Sequence, residues 1–330
     1  MTLSRNNRRA LHLCAMDTRI SSQLEEALVL LKAGKLVAIP TETVYGLAAN
    51  ALNADAVIRI FETKNRPHFD PLIVHVASHE QVADLAIDIS EAAHVLMRAL
   101  WPGPLTIVLR KHERIPHIVT SGLDTVGVRM PDHPLTLELL RSLDFPLAAP
   151  SANPFGYISP TSALHVAEQL GDHIPYILDG GECSVGVEST IIDCSCETPT
   201  ILRLGGTSVE TIEEIIGPVL VNAISTSSPQ APGMLHSHYA PRKPLLVGNI
   251  HELLHEHGNN VSILSFKDGY HNFRNIRLSE TGDMHEAARN LFAGMRKLDA
   301  DHHELILAEF VPDFGLGRAI NDRLKRAAAK

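Results

Sequence analysis

The chain has 330 residues, of which 45% are hydrophobic and 20% charged. This composition is close to that of soluble globular proteins, so it excludes a fibre and global disorder, and the length predicts two domains or one large one. The sequence has 29 lysines and arginines against 38 aspartates and glutamates, a formal net charge of −9. Broad binding of nucleic-acid phosphates depends on excess cations, so the charge opposes it but still allows a small basic pocket for an anionic substrate.

The cysteines and the N-terminal segment set further limits. Cys14, Cys183, Cys194 and Cys196 include no C-x-x-C pair, so we expect reduced thiols and no metal site. No apolar run is long enough for a membrane-spanning helix, and we expect a cytoplasmic protein without a membrane partner. Residues 1–19 carry several arginines but no apolar segment of signal-peptide length, which predicts a basic N-terminal tail. An organelle-targeting peptide is the alternative.

The predicted elements alternate between helices and strands. Ser22 and Glu25 have capping-box spacing, and the apolar face behind them predicts a helix that ends at Gly34. The following pattern predicts strands at 36–39, 72–76, 105–109, 126–130, 147–149, 176–178, 187–192 and 201–204, and helices at 55–61, 91–100 and 162–170. This α/β texture predicts one twisted, mixed sheet with helices packed against it, whereas the strand order cannot be read from periodicity.

A change in composition predicts a linker at residues 219–244. Prolines and serines concentrate there and break any regular element. The linker would separate a first domain at 20–218 from a small C-terminal α/β domain at 245–330. In this second domain we predict strands at 245–247, 261–264 and 305–308, and an amphipathic helix from Met284 to Leu298.

Polar motifs follow or interrupt several predicted strands, and open α/β sheets bind ligands where strands end. PTETVYGL, which contains Thr43, follows the strand at 36–39, and KNRP supplies Lys64 and Arg66, two cations suited to a triphosphate. His75 and Arg129 each stand on an apolar strand, where a buried arginine requires an anionic partner. The structural alternatives are a hydroxyl-rich turn, solvated cations and a hydrogen-bonded core histidine.

Three later motifs have the same character. Ser151 and Ser159 lie in a segment whose hydroxyls and backbone donors suit a phosphate. Ser189 lies near the start of the strand at 187–192, in SVGVESTIID, and Arg203 stands in the apolar run of ILRLGG. The P-loop, dinucleotide-binding, nucleophile-elbow and zinc-protease motifs do not occur, which removes the commonest nucleotide-binding and hydrolase interpretations.

Taken in order, these motifs resemble the YrdC-like family of threonylcarbamoyl-AMP synthases over residues 20–210. The resemblance rests on PTETVYGL, K-x-R-P, P-L-I-V-H, P-G-P-x-T, V-G-V-R-x-P, A-P-S-A-N, V-E-S-T and I-L-R-x-G. The linker carries P-G-M and H-Y-A-P, which is similar to the two-domain form of the family. The resemblance therefore implies a YrdC-like catalytic domain at 20–218 and a small Rossmann-like domain behind the linker.

The resemblance also implies an activity. Family members are nucleotidyltransferases that make threonylcarbamoyl-AMP and pyrophosphate from L-threonine, bicarbonate or CO2 and ATP, with Mg2+ accompanying the ATP. A separate transferase complex receives the product and modifies the adenosine beside the anticodon of tRNA, so we expect hand-over to that complex and no stable tRNA binding by this chain. Threonine carbamate attacks the α-phosphorus, so positioning and charge stabilisation suffice and no protein nucleophile is needed. No general base is predicted.

The resemblance assigns roles to particular residues. It implies that Lys64 and Arg66 are catalytic. The threonine-binding positions are Thr43, His75, Arg129, Ala149 and Ser189. The nucleotide-binding positions are Arg66, Asp70, Thr125, Ser151, Ser159, Arg203 and Tyr239. Asp70 stands where the family more often has asparagine, and a carboxylate repels phosphates unless Mg2+ or a proton intervenes.

Alternatives apply to the linker and to the function. The H-Y-A-P segment, with Tyr239, resembles the stretch that closes over the active site in two-domain members, which implies that the linker is a lid, and a plain tether is the alternative. An RNA-binding YrdC-like module without adenylyl transfer is the main rival function, opposed by the charge and by the lack of aromatic-basic clusters. A carbamoyl-transfer enzyme of the hydrogenase-maturation type is a second rival, but the chain lacks the cysteine pattern of the zinc fingers that accompany it.

Overall fold

The structure, a computed structural model, describes residues 18–223, 230–234 and 237–329. The predicted tail up to residue 17, with Cys14, and the linker residues 224–229, 235 and 236 lie outside this part of the chain. The three cysteines within it are free thiols, buried at Cys183 and Cys194 and exposed at Cys196. Within the described ranges, none of the helices has the length and hydropathy needed to cross a bilayer.

The larger sheet has twelve strands in the described part of the chain. They are β1 Arg19–Ser21, β2 Val37–Ile39, β3 Gly46–Asn50, β4 Ile73–His75, β5 Ala86–Ile87, β6 Leu105–Lys111, β7 Thr125–Arg129, β8 Leu147–Ala148, β9 Tyr176–Leu178, β10 Thr190–Asp193, β11 Thr200–Arg203 and β12 Leu220–Val221. Their order is β1-β9-β2-β3-β8-β4-β7-β6-β10-β11-β12, with β5 paired to β6. The sheet contains both parallel pairs, such as β4–β7, and antiparallel pairs, such as β6–β7, which confirms the predicted mixed sheet.

Helices pack against this sheet. They are α1 Leu24–Lys32, α2 Ala54–Lys64, α3 Glu91–Leu100, α4 Pro134–Arg141, α5 Ala163–Leu170 and α6 Val209–Ile216, with short 3-10 turns at Glu80–Asp84 and Gly171–His173. Asn53 caps α2 by accepting a hydrogen bond from the Ala56 N–H, and the left-handed Asn65 ends the helix at φ 50°. The turn at Asn65 therefore redirects the chain between Lys64 and Arg66.

The C-terminal part forms a second, smaller α/β unit, as predicted. Its elements are β13 Leu245–Val247, α7 Ile250–His257, β14 Val261–Ser265, β15 Arg274–Arg277, α8 Met284–Asp299, β16 Leu305–Ala308 and α9 Leu316–Ala328. The four strands are all parallel in the order β13-β16-β14-β15. Its core also includes Val44, Ile158, Val187 and Tyr239, so the small unit packs on segments that precede or contain the predicted site motifs.

Several local predictions were wrong. The helix α1 begins at Leu24 with Gln23 as its cap, and no side chain caps it, so Ser22 and Glu25 do not form a capping box. Gly34 follows that helix at φ 69°, which confirms the predicted end. Arg19, assigned to the tail, pairs with Tyr176 in the sheet. The strand predicted at 187–192 begins only at Thr190.

Candidate active site

The ends of several central strands meet at a cavity of about 540 Å3, a volume that includes its open mouth. Because β4 and β7 run parallel and His75 is the register partner of Arg129, both residues reach the same edge of the sheet. The predicted site residues that line the cavity are Thr43, Arg66, His75, Arg129, Ala149, Ser151, Ser189, Arg203 and Tyr239. The fold thus brings all five predicted threonine-binding residues and four of the seven predicted nucleotide-binding residues to one place.

Arg129 is paired with the carboxylate of Glu42, which is not among the predicted site residues. Its Nη2 lies 2.6 Å from Oε1 of Glu42, and both side chains are buried. Glu42 belongs to the recognised motif PTETVYGL, but the motif does not indicate that Glu42 pairs with Arg129. Burial, together with the charge of Arg129, lowers the pKa of the neighbouring His75 to about 3. The imidazole is therefore neutral at physiological pH and can serve as a hydrogen-bonding group but not as a cation.

Arg66 and Asp70 form a second buried ion pair. Arg66 Nη2 lies 2.9 Å from Asp70 Oδ2, and Arg66 also donates hydrogen bonds to the carbonyls of Asp70 and Pro71. Burial raises the pKa of Asp70, and Arg66 opposes that shift. The Asp70 carboxylate lies behind the lining residues, where it fixes the guanidinium that faces the cavity.

Lys64 also lies behind the cavity wall. Its Nζ donates a hydrogen bond to the Ser151 carbonyl at 2.5 Å and another, short one to the Asn153 carbonyl. Burial and then the charge of Arg66 lower the pKa of Lys64 well below its ordinary value. Through its two hydrogen bonds, the Lys64 side chain holds the 151–153 segment, which supplies Ser151 to the cavity.

Two predicted nucleotide residues occupy other places. Ser159 is fully buried, and its hydroxyl donates a 2.5 Å hydrogen bond to Oε1 of Glu188. Thr125 lines a neighbouring cavity of about 280 Å3, at the opposite end of β7 from Arg129. The two cavities share Ile73 and Pro232, so they are adjacent parts of one depression.

Arg203, the last residue of β11, joins the segment before β10 to the linker. Its Nε and Nη2 donate hydrogen bonds to the Ser189 carbonyl at 3.0 and 2.9 Å, and its Nη1 donates to the Pro232 carbonyl at 3.1 Å. The Ser189 hydroxyl lies 2.7 Å from that of Thr106. Burial lowers the pKa of Arg203, but an arginine retains its charge, so this guanidinium adds a cation to the cavity.

The linker supplies one wall of the cavity through Pro232, Gly233, His238 and Tyr239. Tyr239 has φ 61° and is buried, and its hydroxyl has no hydrogen-bond partner among the described residues. Gly233 lies so close that a Cβ there would overlap with this hydroxyl. An unpartnered buried hydroxyl is costly, so it marks a position where a bound molecule would supply the missing hydrogen bond.

The structure adds residues that the sequence did not indicate. Glu188 and His238 line the cavity, and Arg323 of α9 reaches Glu188 from the small unit. Glu188 lies within the recognised V-E-S-T motif, but Arg323 lies 135 residues away and belongs to no recognised motif. Within the described residues, no group of three histidine, cysteine, aspartate or glutamate side chains is arranged to hold a metal ion.

The arrangement defines a class of protein. Strand ends of a mixed α/β sheet meet at a partly enclosed cavity lined by Arg66, Arg129 and Arg203, which is the design of an α/β enzyme that binds an anionic substrate. Comparison with known proteins makes this class specific. Residues 29–205 match the family model described as telomere recombination, and residues 207–329 match the model described as threonylcarbamoyl-AMP synthase, C-terminal domain.

Relatives that align with most of this chain are threonylcarbamoyl-AMP synthases. The chain is 46% identical over 314 residues to the threonylcarbamoyl-AMP synthase of Pyrococcus abyssi, covering 90% of this chain and 92% of the relative. It is 42% identical over 321 residues to that of Bacillus subtilis, covering 93% of each. The crystal structure of P. abyssi Sua5 complexed with L-threonine superposes with a TM-score of 0.89 at 43% identity, covering 94% of this chain and 98% of that one. The chain belongs to the two-domain threonylcarbamoyl-AMP synthase family, a family of nucleotidyltransferases.

Proposed function

We propose that the protein makes threonylcarbamoyl-AMP and pyrophosphate from L-threonine, bicarbonate or CO2 and MgATP. The observation that carries this proposal is the convergence of Arg66, Arg129 and Arg203 on one cavity. Both reactants are anions, so three guanidinium groups match the charge that must be brought together. Mg2+ enters as part of the nucleotide substrate, since Mg2+ commonly binds through substrate phosphates.

Arg129 binds the threonine carboxylate in this proposal. A guanidinium binds a carboxylate through two parallel hydrogen bonds, and Glu42 already places a carboxylate at 2.6 Å from it. Threonine would displace or share this contact, with neutral His75, Thr43, Ala149 and Ser189 around the rest of the amino acid. The P. abyssi relative was crystallised in complex with L-threonine, which supports threonine as the substrate.

The nucleotide would occupy the other half of the depression. Arg66, Arg203, Ser151 and Tyr239 line the cavity, and Thr125 lines the adjoining one. Arg66 and Arg203 would act on the phosphates as catalytic cations. Lys64 and Ser159 would act as positioning residues, because their polar groups are bonded to the Ser151 carbonyl and to Glu188.

The reaction is then a transfer between positioned anions. A carbamate oxygen of threonine attacks the α-phosphorus, the new O–P bond forms, and the bond to the bridging oxygen breaks so that pyrophosphate leaves. The arginines and the Mg2+ of the substrate neutralise the charge that develops. Residues Pro232, Gly233, His238 and Tyr239 support a lid role for the linker, since a covered site protects a hydrolysable mixed anhydride from water.

The product would serve tRNA modification beside the anticodon by hand-over to a separate transferase complex. We propose that this takes place in the cytoplasm, where the thiols stay reduced. The proposal requires no stable tRNA binding by this chain, in keeping with the net charge of −9.

One assay tests the activity. Purified protein is incubated with MgATP, L-threonine and 14C-bicarbonate, and we expect a labelled adenylate together with pyrophosphate, neither of which forms without threonine. The control variant R114K alters an arginine that is half exposed and paired with Asp84, and it should behave like the wild type. Folded protein that yields no labelled adenylate would refute the activity, and salt-dependent tRNA binding without pyrophosphate release would support the RNA-binding rival.

A further inference from the structure

We propose that Arg323, in the last helix of the small domain, is a positioning residue that holds the nucleotide half of the site in its working arrangement. This inference rests on the proposed function. It gives the C-terminal domain a part in the reaction that neither the sequence motifs nor the relatives' names assign.

Arg323 contacts three separate segments of the cavity wall. Its Nε donates to Oε2 of Glu188 at 2.9 Å, and its Nη2 donates to the Leu204 carbonyl at 2.8 Å. The guanidinium lies 4.7 Å from the ring centroid of Tyr239. Glu188 and Tyr239 line the cavity, and Leu204 follows Arg203, so a single side chain fixes groups that surround the proposed phosphate site.

The burial of Arg323 makes these contacts consequential. The side chain is fully buried, and Nη1 also pairs with Asp322 at 2.6 Å. A buried charge is tolerated only when it is paired and hydrogen-bonded, and here the partners come from both domains. The other oxygen of Glu188 accepts the hydrogen bond from Ser159. Arg323 therefore reaches Ser159, a predicted nucleotide residue, through one carboxylate.

Helix α8 secures the same region from the other side. Arg296 donates hydrogen bonds to the carbonyls of Ile158 and Ser159, and the Tyr157 hydroxyl donates to Asp299 at 2.5 Å. At Gly186 the chain passes so close to α8 that a Cβ would overlap with its backbone. Because the domain is docked by these contacts, Arg323 is presented to the cavity wall at a fixed position.

The contacts of Arg323 predict a one-sided effect. Ser159, Arg203 and Tyr239 belong to the nucleotide set, whereas Arg129 is paired with Glu42 and donates to the Gly103 carbonyl. Loss of the Arg323 contacts should therefore weaken the use of ATP and leave the binding of threonine unchanged. A residue that merely stabilised the fold would affect both substrates alike, or only the melting temperature.

The variant R323K retains the charge but cannot reproduce the fork of hydrogen bonds. Its matched control is R318K, because Arg318 lies on the same helix and also pairs across the domains, with Glu210 at 3.1 Å, but in an exposed position. Steady-state kinetics give KM for ATP and for threonine, and calorimetric titration gives Kd for L-threonine and for α,β-methylene-ATP. We expect R323K to raise the KM for ATP by about tenfold or more, since small displacements of positioning groups cost up to about a hundredfold, with unchanged threonine binding.

The outcomes separate the two proposals. Wild-type protein that makes no labelled adenylate refutes the proposed function. An active wild type whose R323K variant has unchanged ATP parameters, or loses affinity for both substrates equally, refutes the role of Arg323 alone. If R323K does not fold, E188Q tests the same link, because it keeps the shape of Glu188 but weakens its bonds to Arg323 and Ser159, and the same selective loss of ATP affinity is expected.

Discussion

Replacing Arg129 by lysine tests the threonine half of the site. In the wild type, Arg129 Nη2 lies 2.6 Å from Glu42 Oε1. Lysine preserves a positive charge beside Glu42, so the buried ion pair and the fold should survive. An ammonium group cannot form the two parallel hydrogen bonds that a guanidinium forms with a carboxylate. One hydrogen bond to a charged group contributes about 1.5–3 kcal/mol, and each 1.4 kcal/mol or so is a factor of ten, so we expect the Kd for L-threonine to rise about tenfold to a hundredfold.

Calorimetric titration of L-threonine into folded R129K measures this effect, and titration of α,β-methylene-ATP shows whether the nucleotide half is intact. The matched control is R110K, because Arg110 lies on the adjacent strand β6 and pairs with Asp88 at 2.8 Å, with both side chains more than half exposed. Its affinities should equal those of the wild type. An unchanged threonine Kd in R129K would show that Arg129 does not bind the substrate carboxylate.

Three further predictions concern the linker, the protonation of the site and its charge. Gly233 has φ 83°, and a Cβ there would overlap with the Tyr239 hydroxyl, whereas Gly217 has φ 84° with open space around it. We expect G233A and G217A both to lose about 1–3 kcal/mol of stability. Only G233A should lose product formation as well. The pKa of His75 is lowered from 6.5 to about 3 in the folded protein, so between these pH values the unfolded chain binds one proton more than the folded chain. The free energy of unfolding therefore falls as the pH drops through this window, by at most about 1.4 kcal/mol per pH unit. Urea unfolding at pH 7 and pH 5 should show a smaller loss for H75Q, and equal losses would contradict the assignment. D70N should raise the KM for ATP about threefold or more, because the amide removes the charge that pairs with Arg66 at 2.9 Å and holds its guanidinium toward the cavity, whereas a lowered KM would show that repulsion between Asp70 and the phosphates outweighs this role.

The sequence predicted elements best where an apolar period was uninterrupted. Helix α3 spans the predicted residues, and the amphipathic pattern from Met284 located α8 within one residue of its end. Strand β3 was missed because its sequence, GLAAN, has low strand propensity although it is mostly buried. Helix α9 was missed because Asn321, Arg323 and Arg326 are on its buried side, which breaks the apolar period.

In the candidate site, too, some residues could be predicted from the sequence and others could not. Motifs at strand ends located the residues that line the cavity, because chain direction and register bring strand ends together. The sequence could not show which cation faces which carboxylate. Lys64 and Arg66 are two residues apart, yet the left-handed Asn65 between them sends Lys64 to backbone carbonyls and Arg66 to the cavity. Arg323 was beyond prediction because its contact with Glu188 joins distant parts of the chain.

The pairing of the buried cations explains how an acidic protein can maintain an arginine-rich site. Arg66 is paired with Asp70, Arg129 with Glu42, and Arg323 with Glu188, all with buried side chains. Unpaired, each guanidinium would carry a large desolvation cost, and the three would repel one another. Because carboxylates already balance Arg66 and Arg129, anionic substrates must exchange with or add to these pairs. Among the described residues, Arg203 bonds to carbonyl and hydroxyl oxygens, so it supplies the cavity with a cation that no carboxylate pairs. Selectivity for a carboxylate at Arg129 and for phosphates at Arg66 would then arise from the local geometry of each pair, which is why conservative lysine variants are the sharper tests.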